Sequence, residues 1–265
     1  MTSPPRRSSV ELAHGPLAHV EAGDGPNVVL LHQTPRSADE YRDVLPLLAA
    51  AGRRAIAVDT PGFGGSAPLR DAPSIEGWAT AILAGLDGAA IERCALVGHH
   101  TGGVIAVALA ALAPARVSAL VLSSTPLTDA AYRAQPPDES GVDAAEDADG
   151  LRRSRAGFYP PDRPDLLDRY VADALAAGAL RLGGHHAVGT YEMDGAIPAL
   201  RMPTLLIGAT ADPYAHPQLA RMAAALPAAE VVEIDGGMVP LPDGWPDEFA
   251  GAIIAFLDRV DPRSD

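Results

Sequence analysis

The feature that most constrains the fold is a regular alternation of short apolar runs and amphipathic segments from Val28 onward. Residues 28–31 are all apolar and include two valines, as expected for a buried strand. Similar runs recur at residues 54–58, 94–97 and 119–122, with helix-like segments between them. Strands that alternate with helices are typical of a parallel sheet covered on both faces. We therefore predict one α/β domain with a mainly parallel sheet of roughly eight strands.

The alternation stops after Pro126 and resumes near residue 200, with strand patterns at 204–207 and 230–234. An insertion between two late strands of such a sheet lies over the carboxyl edge, where open α/β sheets bind ligands. Residues 138–149 are acidic and predict a mobile loop within that insertion. The chain is thus predicted to comprise a core of residues 10–126 and 200–260, a cap of residues 127–199 and a flexible tail of residues 1–9.

Charge and composition restrict the partners. The 265 residues carry a formal net charge of −14, and all 20 basic residues are arginine. Such an acidic surface repels phosphate backbones and anionic lipid, so we expect no nucleic-acid or membrane partner and a small-molecule substrate. The single cysteine, Cys94, excludes an internal disulfide, and no apolar run is long enough to span a membrane. We expect a cytoplasmic protein and make no prediction about its oligomeric state.

The strongest motif is Gly98-His99-His100-Thr101-Gly102, which follows a predicted strand and opens a predicted helix. This is the layout of a nucleophile elbow, in which glycines allow a sharp turn and the central side chain projects from the top of the sheet. The motif places His100 at the reactive position. His99, beside it, is predicted to be structural.

Two further loops fit the same family. The sequence His32-Gln33-Thr34-Pro35 resembles an H-G-x-P oxyanion loop, and residues 59–66 resemble a D-x-P-G-x-G-x-S loop. Together with residues 208–212, a loop that ends at Asp212, these motifs resemble the α/β-hydrolase superfamily in order and spacing. The resemblance covers residues 28–257 apart from the cap, and it implies the α/β-hydrolase fold.

The departures from the family pattern concern its catalytic residues. The family has serine, aspartate or cysteine where this chain has His100, and a catalytic histidine where it has Met238. Asp212 stands where the triad acid usually lies. A serine acyl-enzyme mechanism needs both the hydroxyl and the base beside it, so an ordinary serine hydrolase is not expected.

The imidazole of His100 is longer than the serine side chain and is predicted to approach Asp212. In that dyad Asp212 fixes the tautomer and His100 acts as general base on a small apolar organic substrate. The reaction class stays open between lyase, isomerase, cyclase and water-adding hydrolase. Two alternatives are a covalent intermediate at His100 and a non-catalytic binding protein that kept the pocket.

The remaining candidates surround this dyad. The oxyanion hole is assigned to Thr34, Thr101 and Gln33. His32 is expected to support the oxyanion loop at the substrate pocket, and Met238 to form an apolar wall. No metal or cofactor is expected, because the paired histidines of the cap lack a ligand spacing. Candidate substrate contacts in the cap are Tyr132, Phe158, Tyr159 and His186.

Overall fold

The structure is a computed structural model that describes residues 4–134 and 147–261. Within these ranges the chain forms eight strands: β1 (Arg6–Leu12), β2 (Gly15–Ala22), β3 (Asn27–Leu31), β4 (Arg54–Val58), β5 (Cys94–His99), β6 (Val117–Ser123), β7 (Thr204–Ala209) and β8 (Glu230–Ile234). They lie in one sheet in the order β1-β2-β4-β3-β5-β6-β7-β8.

The sheet is mostly parallel. β1 pairs with β2 and β2 with β4 in antiparallel fashion, and every pairing from β4 through β3 to β8 is parallel. All residues of β5, β6 and β7 are buried, as parallel strands covered on both faces require. The predicted α/β fold with a mainly parallel, eight-stranded sheet is confirmed.

Helices connect the strands and cover both faces. The helices of the described residues are α1 (Val44–Ala50), α2 (Ile75–Gly88), α3 (Thr101–Leu112), α4 (Ala130–Arg133), α5 (Ala148–Arg155), α6 (Pro164–Ala177), α7 (Leu180–Thr190), α8 (Met193–Ala196), α9 (His216–Ala225), α10 (Leu241–Gly244) and α11 (Pro246–Val260). Short 3-10 helices occupy Ala38–Tyr41, Pro114–Arg116, Ala156–Phe158 and Ile197–Ala199.

The hydrophobic core lies on the two faces of the sheet. One face packs against α2 and α3, with Trp78 and Leu109 buried there. The other packs against α1 and α11, with Leu48 and Phe256 buried. The helix α3 is apolar on all sides, and ten of its residues are buried. This suits its position between the sheet and the segment that joins β6 to β7. This helix therefore gives the elbow at its start a rigid support.

The segment between β6 and β7 contributes α4 to α8 and, among its described residues, no strand. We call it the β6–β7 insertion. Part of it has a small core of its own, formed by Leu151, Tyr159, Leu166, Tyr170, Val171 and Ala174.

The amino terminus differs from the sequence prediction. A flexible tail was predicted for residues 1–9, of which residues 1–3 lie outside the described ranges. From Arg6 onward the prediction is wrong, because β1 begins there and pairs with β2 from Arg6 opposite Glu21. An ion pair of 2.5 Å between these two side chains adds to the backbone pairing. The strand begins with four polar residues, Arg6-Arg7-Ser8-Ser9, and this gave too weak an apolar pattern for it to be detected.

The acidic loop predicted at residues 138–149 falls mostly outside the described ranges. Its last residues do not fit a loop, because Asp147 caps α5 by accepting the Gly150 N–H at 2.7 Å, and Ala148 and Asp149 are helical. Within residues 4–134 and 147–261, no helix combines the length and the apolar character that crossing a membrane would take.

Candidate active site

The turn between β5 and α3 presents His100. This residue has φ 46° and ψ −113°, so its backbone lies in the strained region with positive φ. Glycines make the turn possible: a Cβ on Gly98 would lie 2.3 Å from the Gly102 carbonyl oxygen, and one on Gly102 would lie 1.9 Å from the Leu31 oxygen. The elbow predicted from the sequence is therefore a strand-to-helix turn held close to β3.

The side chain of His100 reaches across the edge of the sheet to Asp212, which follows β7. The distance from His100 Nε2 to Asp212 Oδ2 is 2.8 Å. The histidine side chain is 15% exposed and the aspartate side chain 0%. The two residues of the predicted dyad thus lie in direct hydrogen-bond contact, with the acid beneath and the base open on one side.

Asp212 is held as a carboxylate. Its Oδ1 accepts the backbone N–H groups of Tyr214 at 2.9 Å and Ala215 at 3.0 Å. Burial opposes ionisation, but His100 and these two N–H groups outweigh it and hold the pKa of Asp212 well below its usual range. The carboxylate can therefore only accept a hydrogen bond, and His100 Nε2 must donate it.

This pairing assigns the tautomer of neutral His100. Since Nε2 carries the proton, Nδ1 keeps its lone pair. Among the described residues no hydrogen bond to Nδ1 is present. The arrangement leaves one basic ring nitrogen for a molecule that enters the site.

His99 is structural, as expected. Its Nε2 donates to the Val239 carbonyl at 2.8 Å, and its Nδ1 accepts from the Ser123 hydroxyl at 3.0 Å. Burial, and then the charge of His100, lower the pKa of His99 to about 3. The neutral ring therefore ties the elbow to the loop that carries Met238.

The predicted oxyanion residues Thr34 and Thr101 lie together. The Thr34 N–H donates to the Thr101 hydroxyl oxygen at 3.3 Å. Thr101 is the first residue of α3, where backbone N–H groups have no partner within the helix. These amides can stabilise a negatively charged oxygen that replaces the Thr101 hydroxyl as acceptor.

Gln33 does not belong to this group, and its predicted oxyanion role is wrong. Its N–H donates to Glu40 Oε2 at 2.9 Å and its side-chain amide to Glu40 Oε1 at 2.6 Å. His32 has the supporting role expected of it, and its burial removes it from substrate contact. Its Nδ1 donates to the Gln33 carbonyl at 2.8 Å, its Nε2 accepts the Thr60 N–H at 2.9 Å, and the residue is only 1% exposed.

Two cap residues predicted to contact substrate lie elsewhere. Tyr159 is 7% exposed and packs in the small core of the β6–β7 insertion, with its ring centroid 6.0 Å from that of Tyr170. His186 is exposed on α7, whose buried face carries Gly184 against Thr34. Two residues along a helix correspond to about 200°, so His186 points away from that face. Both assignments are corrected.

The other three candidates are placed as follows. Phe158 is half-buried, with its ring centroid 5.8 Å from that of Tyr214, which follows Asp212 by two positions. Tyr132 is half-buried on α4, and Met238 is half-buried in the loop after β8. Their roles toward a substrate stay predictions.

A buried charged cluster was missed by the sequence analysis. Arg36, 0% exposed, pairs with Asp243 of α10 and donates from Nε to Asp173 of α6 at 2.9 Å. With the fully buried Glu40 it connects the oxyanion loop to the insertion. The available signal was Arg36 and Glu40, two opposite charges four residues apart directly after the loop. Within the described residues, no group of three or more His, Cys, Asp or Glu is placed to hold a metal ion.

Comparison with known families agrees with this geometry. The family model described as alpha/beta hydrolase fold matches residues 26–193. The chain therefore belongs to the α/β-hydrolase family.

The relatives differ in the share of their own length that this chain spans. It is 31% identical to the polyketide synthase ThaQ of Burkholderia thailandensis over 95% of this chain, but spans only 13% of that synthase. It is 37% identical to the bifunctional epoxide hydrolase 2 of Sus scrofa over 42% of this chain, and spans 20% of that enzyme. Epoxide hydrolase A of Mycobacterium tuberculosis is 28% identical over 92% of this chain and 94% of its own length.

Solved structures share the fold. A bacterial membrane phospholipase A superimposes with a TM-score of 0.84 at 22% identity, over 97% of this chain and 87% of that one. The enol-lactonase from Burkholderia xenovorans LB400 superimposes with a TM-score of 0.80 at 21% identity, over 94% of this chain and 99% of that one.

Proposed function

We propose that the protein is a hydrolase that adds water to small, fairly apolar organic molecules without a cofactor, with His100 as general base. The observation that carries the proposal is the 2.8 Å contact between Nε2 of His100, the elbow residue, and the buried, ionised Asp212. The contact directs the proton to Nε2 and leaves Nδ1 basic. A carboxylate that orients an imidazole in this way is the usual support of a histidine base.

The elbow favours direct action on water over an acyl-enzyme route. No serine or cysteine occupies residues 98–103, so a water molecule is the nucleophile best supported there. In the proposed step Nδ1 takes a proton from water while the water oxygen bonds to an electrophilic carbon. For an epoxide, the electron pair of the broken C–O bond moves to the ring oxygen, which then receives the proton from Nδ1. For an ester or carbamate, the π pair moves to the carbonyl oxygen and re-forms the double bond as the bond to the leaving group breaks. The leaving group departs with that electron pair and receives the proton from Nδ1.

The developing negative charge on that oxygen needs donors. We assign the backbone N–H groups of Thr34 and Thr101, which lie beside the start of α3. The Thr101 hydroxyl, the present acceptor at 3.3 Å, would turn away or itself donate to the substrate oxygen. The positive end of the α3 dipole supports the same charge.

Two relatives guide the substrate class. Epoxide hydrolase A of Mycobacterium tuberculosis aligns over nearly its whole length, and a carbamate hydrolase of Variovorax paradoxus, named as putative, is 30% identical over 75% of this chain. Both names describe addition of water. They favour a hydrolase over a lyase, isomerase or cyclase, with an epoxide or an activated carbonyl as the electrophile.

The test is hydrolysis of styrene oxide and of p-nitrophenyl acetate by the purified protein, by His100→Ala and by His186→Ala. The last is a matched control, because His186 is an exposed histidine of α7. We expect turnover of one probe by wild type and control, and a loss of about a hundredfold or more in His100→Ala. Full activity of His100→Ala would overturn the proposal.

Mass spectrometry of the protein, quenched during turnover and then digested, tests the covalent alternative. A substrate adduct on the peptide containing His100 would replace the general-base mechanism with a covalent one. Saturable binding of both probes, with no turnover by wild type, would favour a binding protein instead.

A further inference from the structure

The residue before the proposed oxyanion amide is held unusually firmly. The family pattern has glycine at the position of Gln33, and here a side chain takes part in the restraint. Both donors of Gln33, the backbone N–H and the side-chain amide, go to the two oxygens of Glu40, at 2.9 Å and 2.6 Å. Its carbonyl accepts from His32 Nδ1 and from the Arg36 N–H, each at 2.8 Å. The backbone N–H, the backbone carbonyl and the side-chain NH₂ of Gln33 therefore all have partners inside the protein.

The position of Glu40 makes this restraint stiff. Glu40 is 0% exposed and lies in the 3-10 helix Ala38–Tyr41, which is fixed in turn by Asp59 accepting the Ala38 N–H at 2.6 Å. The two-point contact sets the orientation of Gln33 as well as its distance. The peptide bond that follows Gln33 carries the Thr34 N–H, and the carbonyl oxygen of that peptide bond accepts from His32 and Arg36. Because Glu40 holds the backbone N–H and side chain of Gln33 on the other side of its Cα, the direction of the Thr34 donor is restricted from both sides.

The neighbouring ion pairs connect the restraint to the β6–β7 insertion. Arg36 Nε and the Ser37 hydroxyl donate to Asp173 of α6, at 2.9 Å and 3.0 Å. Arg169 of the same helix donates to Asp39 at 2.9 Å. The loop that carries Thr34 is thus held on one side by Glu40 and on the other by α6.

We infer that Glu40 is a positioning residue: by binding Gln33 at two points it aims the Thr34 N–H at the substrate oxygen, without contacting substrate itself. The inference rests on the proposed function, because it assigns the reason for which that N–H must be aimed. It predicts that Glu40 affects the chemical step more than substrate binding.

The kinetic test compares Glu40→Ala with Glu40→Gln. Alanine removes both contacts. Glutamine keeps one oxygen for the Gln33 N–H and offers its NH₂ to the Gln33 side-chain oxygen once that amide is flipped. With the probe that wild type hydrolyses, Glu40→Ala should lower kcat by about tenfold to a hundredfold with little change in KM. Glu40→Gln should recover most of the loss, and the exposed control Glu248→Ala should show none.

A structural measurement tests the inference independently of turnover. In nitrogen-15 amide spectra and hydrogen exchange, Glu40→Ala should shift the Thr34 and Thr101 amides and speed exchange at residue 34, and Glu40→Gln should restore both. If Glu40→Ala does not fold, Gln33→Met removes only the side-chain contact and should cause a smaller effect of the same kind. Unchanged Thr34 signals and unchanged kcat in a folded variant would overturn the inference.

The two proposals can fail separately. Full activity of His100→Ala with a displaced Thr34 amide in Glu40→Ala would reject the general base and keep the restraint. Loss of activity in His100→Ala, with unchanged kcat and an unchanged Thr34 amide in Glu40→Ala, would keep the general base and reject the positioning role of Glu40.

Discussion

Nε2 of His100 and Oδ2 of Asp212 lie 2.8 Å apart although 112 positions separate the residues in the chain. The acid reaches the histidine from the loop after β7, where two backbone N–H groups fix its other oxygen. One hydrogen bond therefore decides which ring nitrogen of His100 is a base. A histidine with a free choice of tautomer would present the basic nitrogen only part of the time.

The first prediction concerns that tautomer. In the neutral state, nitrogen-15 spectra of the ring should give His100 a protonated Nε2 and an unprotonated Nδ1, because ionised Asp212 can only accept. Asp212→Asn should mix the two tautomers, since the amide can donate as well as accept. The exposed His186 serves as the unrestrained reference in the same spectra. A protonated Nδ1 in wild type would contradict the assignment.

The second prediction concerns coupling. His100→Ala and Asp212→Asn should each lower kcat/KM by about a hundredfold or more, the usual scale of general-base catalysis. The double variant should be little worse than either single one, because residues that act as one unit are not additive. Rates of the four proteins on one probe suffice. Losses that multiply would indicate that the two residues act independently.

The third prediction separates this site from a serine hydrolase. A fluorophosphonate should not label the wild type, because the elbow side chain has no hydroxyl to attack it. His100→Ser should be inactive toward p-nitrophenyl acetate, since Met238 leaves the new hydroxyl without a base. The double change His100→Ser with Met238→His is the variant expected to gain labelling and esterase activity. Labelling of wild type at any serine would show that the nucleophile lies elsewhere.

Much of the fold could be predicted because the signals are local. Buried parallel strands give continuous apolar runs, and the predicted strand at residues 54–58 has the bounds observed for β4, Arg54–Val58. The elbow was predictable for the same reason, because a strand, two glycines and a helix follow one another directly. β1 escaped detection since an exposed edge strand needs no apolar run.

The site was predictable only where a motif or an element end fixed the position. His100 and Asp212 each follow a strand of a parallel sheet, so their meeting could be inferred from topology. The hydrogen bonds of Gln33 to Glu40 could not be inferred, because Glu40 lies in a helical segment whose buried face was unknown. The assignment of His186 failed because neighbouring histidines on a helix do not reveal which of them faces the core.

The fourth prediction concerns Glu40 and pH. Burial raises the pKa of Glu40 from 4.5 to about 8, although the charge of Arg36 opposes this. Between those values the folded chain keeps a proton that the unfolded chain has released, so this group makes stability fall as pH rises from about 4.5 through about 8. Glu40→Gln lacks the group. Urea unfolding at about pH 6 and about pH 8 should show a smaller loss of stability in the variant than in wild type. Equal losses would contradict the raised pKa.

The last prediction concerns His99, whose dependence on pH has the opposite sign. Its pKa is lowered from 6.5 to about 3. Between about pH 3 and pH 6.5, the unfolded chain therefore binds a proton at this histidine that the folded chain does not bind. His99 therefore makes stability fall on acidification through that range.

His99→Phe removes this contribution but leaves the buried Val239 carbonyl and Ser123 hydroxyl without their partner. It should cost about 2–4 kcal/mol of unfolding free energy at neutral pH. The difference from wild type should shrink at about pH 5, because only wild type then has the penalty of keeping His99 neutral. His186→Ala, which changes an exposed histidine, should follow the wild-type curve at both pH values. A difference that grows on acidification would mean that His99 is protonated in the folded protein, and its bond to Val239 would need a different explanation.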